Sequence, residues 1–376
     1  MEIHGTYQDQ FSGVIDVFNA NFQNKGEIGA SFAATVNGEF VVDIWGGHRD
    51  SDKRLSWERD TIVNVYSSTK TMTFLVALML YDRGLLDLDA PVAKYWPDFA
   101  QNGKENVLVK HVLSHSAGLP GFENIKTVEE LFDWEACVSD LAVQAPWWEP
   151  GTQCGYHAIS QGYLIGEIVR RITGESIGQW FSKEVAAPLG ADFYIGMPAS
   201  EFGRAADLIP GPDRVDLSKL DQESFLARVL SIPVKGAIIH TDDWRSAEIP
   251  AANGYGNARS IAKVQSLVAN GGTAFGKTLL SQEACRIAAE LQMDSNDLVL
   301  GIPMRYCMGY AQVTERMPYS PSPHALFWAG AGGSFILVDM ERKICCSYVM
   351  NKMGDTLIGD ERAVGLIRSL YDSLSA

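Results

Sequence analysis

Basic residues are scarce in this chain: 31 lysines and arginines stand against 46 aspartates and glutamates, a formal charge of -15. A surface this acidic repels phosphate backbones and anionic headgroups, so neither nucleic acid nor membrane is expected as a partner. Long apolar runs are lacking too. The longest, Phe74 to Tyr81, is far shorter than the roughly 20 residues a bilayer-crossing helix needs. Met1 to Tyr7 contains no basic stretch leading into an apolar one, so no secretory signal is visible and a cytoplasmic location is expected. Cysteine is sparse, six in 376 residues, without a metal-type Cys-x-x-Cys pair. Buried free thiols are expected, with the adjacent Cys345 and Cys346 facing opposite sides of a strand. Nothing in these patterns calls for a metal or another cofactor.

What is present is ordinary globular material, 46% hydrophobic and 20% charged, and long enough for one large or two intimately packed domains. An amphipathic helix is expected over 8–24, then strands over 28–36 and 40–45 joined by Asn37-Gly38-Glu39, a strong hairpin signal. Further strands are expected over 306–314, 333–339 and 343–350, with a closing helix over 360–374. Between these ends, 72–195 has helical periodicity broken by Gly and Pro. Residues 196–250, with five prolines including Pro210 and Pro212, read as irregular loops of the kind that border a cleft. The expected fold is α/β (α+β): an antiparallel sheet flanked by helices, built from 1–71 and 240–376, with a mostly helical domain over 72–239 inserted. A functional cleft is expected between the two.

The stretch richest in chemistry is Ser67-Ser68-Thr69-Lys70. Residues 61–66 read as extended, while 72–81 form a helix apolar on nearly every side and therefore buried. Ser67 would open that helix at its positive end, with Lys70 at i+3 on the same face, as a nucleophile with a cationic neighbour requires. The bland alternative is an N-cap serine. Ser260-Ile261-Ala262-Lys263 repeats the spacing, but there the surroundings read as the interior of an ordinary amphipathic helix.

Two more elements stand out. Pro150-Gly151 opens a turn that ends in Tyr156-His157-Ala158 before an apolar helix over 159–172, so Tyr156 could reach a cleft. Phe327-Trp328-Ala329-Gly330-Ala331-Gly332-Gly333-Ser334 begins as a strand and becomes glycine-rich, as it would where a ligand or backbone approaches closely. Trp328 is the tryptophan most expected in an apolar pocket. Trp134, Trp147, Trp148, Trp180 and Trp244 suit packing better.

With Ser67-Ser68-Thr69-Lys70-Thr71, Pro150-Gly151 to Tyr156-His157-Ala158, and Trp328-Ala329-Gly330, the chain resembles the serine β-lactamase and penicillin-binding superfamily. Within it, the chain looks most like the family VIII carboxylesterases. Supporting stretches are His111-Val112-Leu113-Ser114-His115-Ser116-Ala117-Gly118-Leu119 and Asn257-Ala258-Arg259-Ser260, and the likeness runs over about 28–350. The resemblance implies that Ser67 attacks an ester carbonyl, Tyr156 takes and returns the proton, and Lys70 supports both. The backbone amides of Ser67 and Ala331 would form the oxyanion hole, and Trp328 and Gly330 would border the substrate. It also implies a small-molecule ester as substrate, no cofactor, and weak or no β-lactamase action. Tyr156-His157-Ala158 stands where Tyr-x-Asn is usual, and Trp328-Ala329-Gly330 where Lys-Thr-Gly is usual, so a cation for a β-lactam carboxylate and an amide for its side chain are both gone. Amide hydrolysis or acyl transfer is the alternative chemistry, and a catalytically inactive scaffold the non-enzymatic one.

Two rival motifs are weaker. Gly174-Glu175-Ser176-Ile177-Gly178 matches Gly-x-Ser-x-Gly, but a helix rather than a strand precedes it, so Gly174 reads as a helix end and Ser176 as an N-cap. His111 and His115 lack the glutamate of a zinc protease motif, because Val112 stands in its place. Ser114 and His115 are expected to shape a helix end.

Overall fold

The structure is a computed structural model that describes residues 2–211, 219–356 and 358–375. Its centre is a nine-stranded antiparallel sheet. The strands are β1 (Ile3–Tyr7), β2 (Gly29–Val36), β3 (Glu39–Gly47), β4 (Met293–Asn296), β5 (Pro303–Tyr306), β6 (Ala311–Gln312), β7 (Leu326–Ala329), β8 (Phe335–Asp339) and β9 (Ile344–Met350). They lie in the order β1-β3-β2-β9-β8-β7-β6-β5-β4, so β9 closes the sheet by pairing with β2 across most of the sequence. The Asn37-Gly38 signal is realised: both residues have positive φ, 52° and 79°, matching the two-residue turn that suits strand twist.

Helices cover both faces of the sheet. α4 (Ala258–Ala269) packs on β2, β8 and β9, and Ser266 bonds Thr35 at 2.6 Å. On the other face α1 (Ser12–Asn24) packs on α5 (Glu361–Ser375), whose Tyr371 hydroxyl donates to Asp339 on β8 at 2.7 Å. Cys345 therefore meets Ser266 on one side and Cys346 meets Asp339 and Tyr371 on the other, as the alternation of a strand requires.

α2 (Lys70–Asp82) is buried from Lys70 to Leu80 and packs against α3 (Ser160–Thr173). A 3-10 turn, Tyr66–Thr69, feeds into it. Ser67 therefore precedes α2 rather than opening it, and of 61–66 only Val63–Asn64 is strand, paired to Tyr255–Gly256 in a small separate sheet that also holds Phe193–Tyr194. The expected strand 306–314 is instead a hairpin, because Gly309 at φ 98° turns the chain and lies where a Cβ would fall 2.4 Å from Phe74. Residues 333–334 stay outside β8, and the helix expected over 8–24 begins with a 3-10 turn at Asp9–Phe11. The edge strands β1 and β4 had no apolar signature, being largely exposed. The described parts of the region, 196–211 and 219–250, are largely loop with short helical turns, and Pro212 lies outside the described residues.

Among the described residues no helix is long and apolar enough to cross a membrane. The six cysteines are free and buried. Burial raises the thiols of Cys137 and Cys154 to about 12 and about 11, which leaves almost no thiolate at neutral pH. Iodoacetamide at pH 7.5 should therefore leave the native protein unlabelled and modify all six thiols in denaturant. Rapid labelling of any cysteine in the native state would contradict the packing described.

Candidate active site

Ser67 sits at a forced bend. The preceding Tyr66 has φ 45°, an unusual conformation for an aromatic residue, and its carbonyl is held by Thr69 Oγ1 at 2.5 Å, which in turn accepts from Gly254 N at 2.8 Å. The bend leaves the Ser67 side chain partly accessible while Ser68, Thr69 and Lys70 are buried. Its hydroxyl caps no helix end. Ser67 Oγ accepts from Tyr156 OH at 2.5 Å and from Lys70 Nζ at 3.3 Å, and Lys70 Nζ lies 3.0 Å from Tyr156 OH. Ser67, Lys70 and Tyr156 thus meet in one triangle.

Lys70 is 1% exposed and, among the described residues, has no carboxylate beside it. Its amine donates to the carbonyls of Ala158 at 2.7 Å and Ala251 at 2.9 Å. Those carbonyls favour the cation, but the loss of water outweighs them, and burial holds Lys70 well below the ordinary lysine pKa. Burial moves Tyr156 the other way, raising its phenol above the usual value, with Asp297 adding to the rise and the Ser67 bond opposing it. Both shifts favour the uncharged forms, the amine on one side and the phenol on the other. Besides the two carbonyls, the amine faces the two hydroxyls, so every direction around the nitrogen has a polar partner.

The glycine-rich turn after β7 forms the opposite wall. Gly330 comes so close to the Tyr66–Thr69 turn that a Cβ there would fall 2.1 Å from Val65 O. Ser334 fastens the two: its Oγ donates to Val65 O at 2.8 Å and pairs with Ser68 Oγ at 2.8 Å. Within the turn, Gly330 N bonds Ser334 O and Gly333 N bonds Gly330 O, which leaves the Ala331 amide out of the ladder. Sequence reading missed Ser68 and Ser334. The only sign of them was their place beside the two motifs.

Ser67 and Tyr156 open onto a cavity of about 80 Å³. Leu300, Met304, Tyr306, Phe327, Trp328 and Ile358 wall it, and Ala311, Ala329 and Ala331 leave it room. Among the described residues no charged one lines it. Trp328 is where it was expected, stacked on His115 at 5.4 Å and edge-on to Phe74 at 5.8 Å. Gly330 is absent from the lining, its role being the close backbone approach. The other tryptophans lie elsewhere, such as Trp134 on Glu167 and Trp147 on Phe225.

The rival motifs are absorbed by structure. Ser176 caps the helix Ile177–Phe181 and donates to Glu248 at 2.5 Å, and Gly174 ends α3 with φ 76°. Ser260 binds its own cap, Asn257, in the first turn of α4 rather than the helix interior expected for it. His111 Nδ1 accepts from Leu108 N, and His115 Nδ1 from His157 N. His157 Nε2 accepts from Leu119 N, and burial pushes its pKa down to about 3. The histidine in the Tyr156-His157-Ala158 loop is therefore a neutral pillar, while the loop's last carbonyl serves Lys70.

A model of the beta-lactamase family matches residues 17–368. The chain belongs to the beta-lactamase family. Among this family's members it is 32% identical to Esterase/beta-lactamase LipL of Mycobacterium tuberculosis, over 96% of this chain and 86% of that one. A crystal structure of a family VIII carboxylesterase superposes with TM-score 0.92 at 41% identity, covering 99% of this chain and 100% of that one. A penicillin-binding protein homologue from Caulobacter crescentus also gives 0.92, at 37% identity and the same coverage. The large antiparallel sheet with helices on both faces is the beta-lactamase-like fold of these neighbours.

Removing the fastening between the two walls should be costly. Ser334→Ala leaves Ser68 Oγ buried without its partner and Val65 O with the Ser68 amide alone, and urea unfolding should show a loss of about 1–3 kcal/mol. An unchanged midpoint would mean that the two walls are held together by packing alone.

Proposed function

We propose that the protein is a serine hydrolase of small to medium carboxylic esters that works through an acyl-enzyme on Ser67. Its cleft lies between the sheet domain, 1–71 and 240–376, and the helical domain, 72–239. The observation that carries the reading is the Ser67 hydroxyl within 2.5 Å of Tyr156 OH and 3.3 Å of a buried, uncompensated Lys70. An alcohol needs a base to become a nucleophile at neutral pH.

Ser67 Oγ attacks the ester carbonyl carbon and gives its proton to Tyr156 oxygen. Tyr156 passes its own proton to the Lys70 lone pair, so a buried phenolate never accumulates. The carbonyl oxygen, now an oxyanion, is met by the amides of Ser67 and Ala331, donors of a kind that each lower the barrier by about 2.7–4 kcal/mol. The proton returns through Tyr156 to the leaving alkoxide, and the alcohol departs. Water then attacks the acyl-enzyme by the same route in reverse, releasing the acid and restoring Ser67.

The uncharged lining around Ser67 supports an uncharged acyl group, and Trp328 supplies no cation for a β-lactam carboxylate. Esterase relatives and neighbours point the same way. p-Nitrophenyl esters of graded length should turn over, and nitrocefin should react slowly or not at all. Transfer to an added alcohol or thioester without ester hydrolysis would favour an acyltransferase, and no reaction with any of these would favour a scaffold.

Two kinetic outcomes follow from the geometry. Ser67→Ala should fall to background while Ser176→Ala keeps wild-type turnover, and Tyr156→Phe should lose about a hundredfold or more in kcat. The reactive form has Lys70 neutral, and its pKa is depressed, so activity should be present at neutral pH and fall on acidification as the amine gains a proton. A pH–rate profile that rises only near the ordinary lysine value would show that Lys70 rests as a cation.

A further inference from the structure

The 330–333 turn rests on a buried ion cluster that the proposed chemistry does not touch. Arg362, in the first turn of α5 and 4% exposed, points its guanidinium at the back of the turn. Nη2 donates to Gly332 O at 3.2 Å, a carbonyl that also accepts from Gly354 N at 2.7 Å. Nη1 reaches Lys352 O at 2.9 Å and Glu27 Oε1 at 3.1 Å. Nε and Nη2 grip the two oxygens of Asp360 at 2.9 and 2.8 Å. No side chain intervenes, since a Cβ on Gly333 or Gly354 would fall 2.7 or 2.2 Å from Asp360 Oδ2. One fork thus ties together the turn, the 352–354 segment and the stretch before β2. Ile358, on the cavity wall, lies two residues before Asp360.

A buried ion pair is weak evidence of a stability role, because desolvation offsets most of its attraction. Its placement suggests another use. Donors to an oxyanion act only if they are held in place beforehand, and a misplacement near 1 Å can cost about a hundredfold in rate. We propose that Arg362, clamped by Asp360 and Glu27, is a positioning residue that fixes the Gly332 carbonyl and thereby aims the Ala331 amide. The inference rests on the reading of that amide as an oxyanion donor. An arginine suits this task because its planar fork serves several acceptors at fixed angles, which an ammonium does not.

Glu27 makes the arrangement sensitive to pH. The groups facing it are Arg362 and Asp360 from the start of α5 and the Tyr348 hydroxyl from β9. Burial raises its carboxyl to about 7 against the pull of Arg362 and Tyr348. As pH falls through that value Glu27 takes a proton, Arg362 loses one counter-charge, and the grip on the turn loosens.

The test is steady-state ester hydrolysis by wild type, Arg362→Lys, Glu27→Gln and Ser67→Ala, each with its pH profile and thermal melt. Arg362→Lys should lower kcat about tenfold with KM nearly unchanged, and Glu27→Gln should remove an inflection near pH 7 that wild type shows. Unchanged kcat in a folded Arg362→Lys overturns the positioning role. If Arg362→Lys does not fold, Glu27→Gln decides: a lost inflection supports the role, and a profile identical to wild type overturns it. Turnover that survives Ser67→Ala would sink the acyl-enzyme reading itself, a result separate from either.

Discussion

The structure turns on one amine without water. Lys70 is buried at the start of the central helix, and its Nζ is shared among Ser67 Oγ, Tyr156 OH and the carbonyls of Ala158 and Ala251. A charged ammonium at that depth with no carboxylate would cost several kcal/mol, so the site favours the neutral base. The same four contacts draw the turn before α2, the loop before α3 and the segment before Asn253 to one point. The amine beside the Ser67 hydroxyl is thereby also a structural hub.

Around that hub the walls are made from backbone. The glycine turn after β7 approaches the Tyr66–Thr69 turn closely enough that no side chain fits at Gly330, and Ser334 pins it there. Where the resemblance to the serine β-lactamases would place a lysine and an asparagine, this chain has Trp328 and Ala158. Trp328 is committed to a stack with His115 and an edge contact with Phe74, and Ala158 gives only its carbonyl. Both replacements remove a polar handle from the cleft and leave an apolar cavity beside the nucleophile. The chemistry proposed for the site follows from that loss as much as from the Ser-Lys-Tyr triangle.

The sequence revealed the site more readily than the sheet. Ser67 and Lys70 could be paired because their spacing is short and local, Tyr156 was joined to them only through the family resemblance, and the hairpin at Asn37-Gly38 was legible because that dipeptide encodes its own turn. β1 and β4 could not be read, since edge strands with exposed faces carry no apolar alternation. The hairpin inside 306–314 was hidden because Tyr306 to Met308 and Tyr310 to Ala311 are apolar on either side of Gly309, whose turn is enforced by Phe74 from another element. The parts that hold the site in place, Ser334, Ser68 and the Arg362 cluster, join residues that lie hundreds apart. Pairings of that kind are set by tertiary packing and leave no local signal.

Ser67 as the nucleophile is tested by treatment with a fluorophosphonate, followed by intact-mass measurement and peptide mapping. A single adduct on the peptide containing Ser67, absent from Ser67→Ala, is the predicted result. No adduct, or one that persists in Ser67→Ala and maps to Ser176, would contradict it.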